Sequence, residues 1–211
     1  MNNFFHVDGL FYKISSKIWS LIVLNLLIIL TSLPIITIGA AQTAGFAVIT
    51  RIIDLDETRI VSTFFDSFKK NFKQSTIVWL ALGVLMNLLI INWNYLISFK
   101  QLNSWITVGM VIVSLAFVNF CQYVFFYLSR FEDSIKQITI NILKLPIYYP
   151  VRSLILLLLV LVPLLLMFLS PYLFIFGIYM GIFIGISFNM FLRAYLLLDL
   201  FRKLELPVNN D

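Results

Sequence analysis

Residues 18–50 form a run of 33 positions without one charged side chain. As a single helix the run would be about 50 Å long, well beyond the roughly 30 Å hydrocarbon core of a bilayer. Two shorter arms fit if the chain turns near Pro34. The segment Leu33-Pro34-Ile35-Ile36-Thr37-Ile38-Gly39 offers that break, because proline removes a backbone donor and glycine relaxes the backbone. The sequence therefore predicts a helical hairpin with arms at 18–33 and 36–53. Its second arm is either a full span or a re-entrant element packed inside protein. The small residues that follow the turn, Gly39 to Gly45, suit close helix approach in a membrane.

Four later apolar runs, 77–97, 105–128, 154–169 and 171–192, each approach the length of a crossing. Ser170 and Pro171 imply a tight hairpin between the last two. Composition agrees: the chain is 61% hydrophobic and 12% charged, with a mean hydropathy of +0.99. A soluble fold is about a quarter charged and has nowhere to place such a surplus of apolar surface. The expected fold is an all-α polytopic transmembrane bundle of five or six membrane helices in one domain, with short cytoplasmic amphipathic helices at 54–76 and 129–153.

The basic residues give a direction. With six crossings, every Lys and Arg except Lys100 falls on one side. With five crossings, Lys13 and Lys17 move to the other side. Both arrangements place the C-terminus in the cytoplasm by the positive-inside rule and the protein in the cell membrane. Basic residues confined to short loops are expected to meet lipid headgroups, and nucleic acid is not an expected partner. The first apolar run lacks the flanks of a cleaved leader.

Two loop segments look alike. Phe64-Phe65-Asp66-Ser67-Phe68-Lys69 and Phe131-Glu132-Asp133-Ser134-Ile135-Lys136 agree at Phe, Asp, Ser and Lys. Either the chain carries a weak internal duplication, or membrane-surface helices have converged on one composition. Spacings of three and four place Phe64, Phe65, Phe68 and Phe72 on one helical face, and Ile135, Ile138 and Ile142 on another. Phe64, Phe65, Phe68, Lys69, Phe72, Lys136 and Ile138 are the candidate partner-binding residues.

Catalytic signatures are missing from the sequence, and the protein is not expected to be an enzyme. One histidine, His6, and one cysteine, Cys121, do not make an ordinary zinc site. No cofactor and no obligatory metal are expected. The acidic run Asp54-Leu55-Asp56-Glu57 reads as a solvated turn or helix cap. Arg193 and Asp199 lie near the end of the last helix, where both are expected to reach the interface. The amides and threonine Asn25, Gln42, Thr43, Asn87, Asn92, Asn94, Asn119, Gln122 and Asn189 are expected to join helices. Asn92, Trp93, Asn94 and Trp105 are a candidate site for an uncharged solute, followed on the outer side by Gln101, Asn103 and Ser104. The same residues match an aromatic belt at the interface.

The runs Asp8-Gly9-Leu10-Phe11-Tyr12, Asn25-Leu26-Leu27 and Leu33 to Ala40, followed by the Phe-rich stretch from Phe64 to Gln74, resemble the YesL-like membrane proteins of Gram-positive bacteria, a family defined by domain of unknown function 624. Family members commonly accompany carbohydrate ABC importers. The resemblance therefore implies an accessory or regulatory role in carbohydrate uptake, with importer permease and ATPase subunits as partners. It carries over no ligand residue. The alternative is a small transporter or channel for an uncharged solute. An importer permease itself fits less well, since Glu132 leads to Leu145-Pro146 without the Ala pair and Gly of the coupling motif. If Pro34 and Gly39 form a hairpin turn, a cysteine placed at Lys13 is labelled only from the cytoplasmic side. Labelling from outside supports five crossings instead.

Overall fold

The computed structural model describes residues 10–55, 59–99 and 105–205. Asp56, Glu57, Lys100, Gln101, Asn103 and Ser104, together with the Asp8-Gly9 pair and His6, lie outside the described residues. The described chain is all helical. Its elements are α1 (Leu10–Ser32), a 3-10 turn (Ile35–Thr37), α2 (Ile38–Leu55), α3 (Ile60–Ser98), α4 (Trp105–Arg130), α5 (Ile135–Tyr148), α6 (Pro150–Leu169), α7 (Pro171–Met180), a π-helical segment (Gly181–Gly185) and α8 (Ile186–Glu205). Six helices or continuous helical runs are long and apolar enough to cross a membrane.

Helix α2 is the centre of the bundle and packs on α1, α3, α4 and α8. Its small residues make this possible. A β-carbon on Gly39 would stand 2.6 Å from the Ser75 carbonyl oxygen and 2.7 Å from Trp79 Cβ. One on Gly45 would stand 2.9 Å from both Ile28 Cδ1 and Met190 Cε. The α2–α3 contact is pinned by a 2.9 Å hydrogen bond between the Thr43 and Ser75 hydroxyls, both buried. Phe46 packs edge-on against Phe126 of α4, with centroids 5.5 Å apart.

Asn25 ties α1 to the break between α7 and α8. A π turn leaves carbonyls without their usual partners. The Asn25 amide donates to the Gly181 and Ile182 carbonyls at 3.0 and 2.7 Å. Its oxygen accepts from the Ser187 amide at 2.9 Å. Thr43, Asn25 and Asn189 thus do join helices, the last through Leu159 O of α6 at 2.8 Å. Asn87, Asn92 and Asn119 differ from expectation: each amide bonds the carbonyl four residues back in its own helix. Asn87 and Asn92 are exposed, and an amide on an outward helix face finds its nearest acceptor there; Asn119 is half-buried.

The expected separate helix at 54–76 is not seen. Residues 60–98 form one helix of 39 residues, about 58 Å long. The reason is that no proline and only one glycine, Gly83, interrupts the stretch. A change from charged to apolar surface changes a helix's surroundings without breaking its hydrogen bonds. By contrast α5 is a separate helix, capped by the Ser134 hydroxyl accepting from Gln137 N. The turn at Ser170 is as tight as the sequence implies, with Pro171 opening α7 and Ser170 capping Tyr172 N.

The α1–α2 turn does not reach the far end of α3. Trp79 Nε1 donates to the Ile35 carbonyl in that turn at 2.8 Å, and residues 80–98 of α3 still follow. That remainder is about 28 Å long. The bundle therefore has two layers. One holds α1, α2, the first half of α3, the end of α4, α5, the start of α6 and most of α8. The other consists of two hairpins, α3/α4 and α6/α7, whose outward residues are almost all apolar and exposed. Gly39→Ala is expected to lower stability in detergent by about 1–3 kcal/mol, because the added carbon meets backbone that cannot yield. Gly83→Ala, with open space around it, should cost nothing; thermal melts of the two variants check this.

Candidate functional site

The charged residues gather at the end of the bundle opposite the two outer turns. Arg202 of α8 pairs with Asp54 of α2 at 2.5 Å. Arg152 of α6 pairs with Asp199 of α8, and Lys70 of α3 pairs with Glu132 in the α4–α5 link. Lys70 donates to the Glu132 carboxylate and faces it with opposite charge, which holds that carboxyl below the ordinary glutamate range. The pair is exposed, so solvent screens it and it orients more than it stabilises.

The two similar segments meet here. Besides the Lys70–Glu132 pair, the Gln74 amide donates to the Asp133 carbonyl at 2.7 Å. The Tyr127 hydroxyl donates to Asp133 Oδ2 at 2.5 Å and accepts from Asn141 Nδ2 at 2.9 Å, joining α4 to α5. Between the segments lies a cavity of about 250 Å³ walled by α2, α3 and the end of α4. Its polar lining includes Thr50, Thr63, Ser67, Asn71 and Ser129. The charges on its wall are Arg51, Lys70 and Arg130 against Asp66 and Glu132. Arg130 stands in the last turn of α4, where a cation complements the helix dipole. On the far side of Phe131 a second cavity, of about 300 Å³, is lined by Tyr127, Tyr148, Phe201, Asn141 and Lys144. Among the described residues, no three His, Cys, Asp or Glu side chains stand together as metal ligands.

The candidate partner-binding residues divide. Phe64 and Ile138 are in the core, 0% and 1% exposed, so neither is open to a partner. The reason is that α3 and α5 turn these faces to the bundle and not to lipid. Phe65 and Phe72 remain on the surface, 39% and 38% exposed, and Lys69 and Lys136 are exposed as well. Phe68 is half-buried and stacks on Phe64, with centroids 6.1 Å apart, and meets Phe72 at 5.5 Å. An aromatic ladder thus leads from the core to the surface of α3.

The candidate solute residues do not converge. Asn92 bonds its own helix, and Trp93 Nε1 donates to the Ser114 hydroxyl of α4 at 3.0 Å. Asn94 is exposed, and Trp105 points outward, 90% exposed. None of the four lines either cavity described above. Their side chains face outward or are spent on helix pairing.

Sequence reasoning missed Arg193. It does not reach the interface with Asp199, which pairs with Arg152 instead. Its side chain is buried between α8, α4 and α2. Nη2 donates to the Gln122 carbonyl at 3.1 Å, and the guanidinium stands 5.3 Å from the centre of the Phe46 ring. The available signal was length: the helical run Pro171–Arg202 has 32 residues, more than one crossing needs, so position 193 is not forced to the helix end.

These features define a polytopic α-helical membrane protein with a packed, charged end. Residues 21–93, from α1 through most of α3, match the model of a family described as a protein of unknown function, DUF624. The match agrees with the resemblance that the motifs around Asn25 and Pro34 carry. No curated protein and no solved structure matches the chain.

Proposed function

We propose that the protein is an accessory, non-catalytic component of the cell membrane that docks a partner through its charged end. The observation that carries this reading is the surface of α3. Phe65, Lys69 and Phe72 follow one another at spacings of four and three, on one face of a helical stretch that also bears Asp66, Lys70 and Lys73. Aromatic side chains are enriched at protein interfaces relative to the rest of a protein surface. By the positive-inside rule this end and the C-terminus face the cytoplasm.

The partner suggested by the family resemblance is a carbohydrate ABC importer, through its permease or ATPase subunits. The Lys70–Glu132 and Gln74–Asp133 contacts support the reading, since they hold the α3 surface rigid against the α4–α5 link. A preorganised surface binds at lower entropic cost. The reading as a transporter for an uncharged solute has less support, because its candidate ligand residues point away from one another. Purification in mild detergent is expected to retain importer subunits, and the double substitution Phe65→Ala with Phe72→Ala to reduce that retention at least tenfold, the consequence of losing about 1.4 kcal/mol or more. Equal retention by the variant, or no importer subunit under several conditions, contradicts the proposal.

A further inference from the structure

Arg193 is a cation without an anion. Its side chain is 9% exposed, and among the described residues no carboxylate pairs with it. The nearest acidic residue on its own helix, Asp199, is held by Arg152. A guanidinium does not shed its proton in a protein, so the charge persists. One backbone carbonyl and one ring face compensate it only in part. Its Nε–H has no acceptor.

The neighbouring Gln122 side chain, 3% exposed, has the same defect. Both its Nε2 and its Oε1 lack partners. Arg193 Nη2 reaches the backbone of that same residue. Two buried side chains of α8 and α4, linked through the Gln122 backbone, thus each carry an unused N–H donor, and Gln122 also an unused acceptor. Buried donors left in this way are rare and call for a missing acceptor. An ionisable side chain inside an apolar helix run is by default a functional position. Water can accept a hydrogen bond there but cannot balance the charge. A charged guanidinium with an unused N–H matches an oxyanion.

The pair sits inside the packed part of the bundle. Gln122 lies eight residues before Arg130, and so about 12 Å from the charged end. It stands where the packed layer gives way to the two outer hairpins. Below it α4 packs on α3, while α6 packs on α7.

We propose that Arg193 and Gln122 form a binding site for a phosphate-type oxyanion, supplied either by an anionic lipid headgroup or by a free phosphate. The test uses the full chain in nanodiscs of phosphatidylcholine, of phosphatidylcholine with phosphatidylglycerol, and of phosphatidylcholine with added inorganic phosphate. The melting midpoint is expected to rise by about 5–10 °C at saturation in one of the two supplemented conditions. A rise with phosphatidylglycerol identifies the headgroup, and a rise with phosphate identifies the free ion. Arg193→Gln removes the rise, and Gln122→Leu, which keeps the charge, reduces it. Mass spectrometry of the wild-type protein from the mixed-lipid disc gives an independent readout if Arg193→Gln does not fold: one phosphatidylglycerol retained per chain supports the headgroup as source. The absence of a rise in both supplemented conditions, or an equal rise in wild type and Arg193→Gln, overturns the proposal. So does a folding failure of Arg193→Gln combined with an undiminished rise in Gln122→Leu.

Discussion

The fold depends on how closely α3 can approach α2. At Gly39 the two backbones stand near enough that even a methyl group has no room. That approach brings the Thr43 and Ser75 hydroxyls together and sets Trp79 against the α1–α2 turn. With lipid on the outside, burial of apolar surface does little to drive helices together. Close backbone packing and hydrogen bonds between helices supply the specificity. Helix α2 meets both needs, and four helices arrange themselves around it.

The second consequence is the division into layers. Because α2 turns back beside Trp79, the outer half of α3 continues without it and pairs with α4 through Trp93 and Ser114. The α6/α7 hairpin extends in parallel, and the broken π segment after it is repaired by Asn25. The packed layer gathers the ion pairs, the two cavities beside Phe131 and Arg193. The outer layer is mainly apolar, with Asn87, Asn92 and Asn94 exposed on α3.

Much of this was legible in the sequence. An uncharged run too long for one helix and a proline at position 34 were enough to predict a hairpin. Ser170-Pro171 was enough to predict a tight turn. Small residues from Gly39 to Gly45 signalled close packing. The pairing of the two Phe/Asp/Ser/Lys segments was not legible, because their similarity says nothing of whether they touch. The continuity of α3 was hidden for a physical reason: a helix ends where its backbone is interrupted, and side-chain polarity does not interrupt it. The same reason misplaced Arg193, whose surroundings are set by α2 and α4. For Phe64 and Ile138, helical spacing identified an apolar face but not whether lipid or protein covers it. The amides of Asn92 and Asn119 were read as helix joiners, although a helix offers each its own carbonyl four residues back.

The central claim is that the α1–α2 hairpin stops half-way along α3, level with Trp79. It is tested most directly by thiol accessibility in a Cys121→Ser background. Single cysteines at Ile36, Trp105 and Tyr172, all exposed, are treated from outside the cell with a membrane-impermeant maleimide. The fold predicts rapid modification at 105 and 172 and protection at 36. Modification at 36 as fast as at the other two positions would place the hairpin turn at the outer surface and contradict the two-layer arrangement.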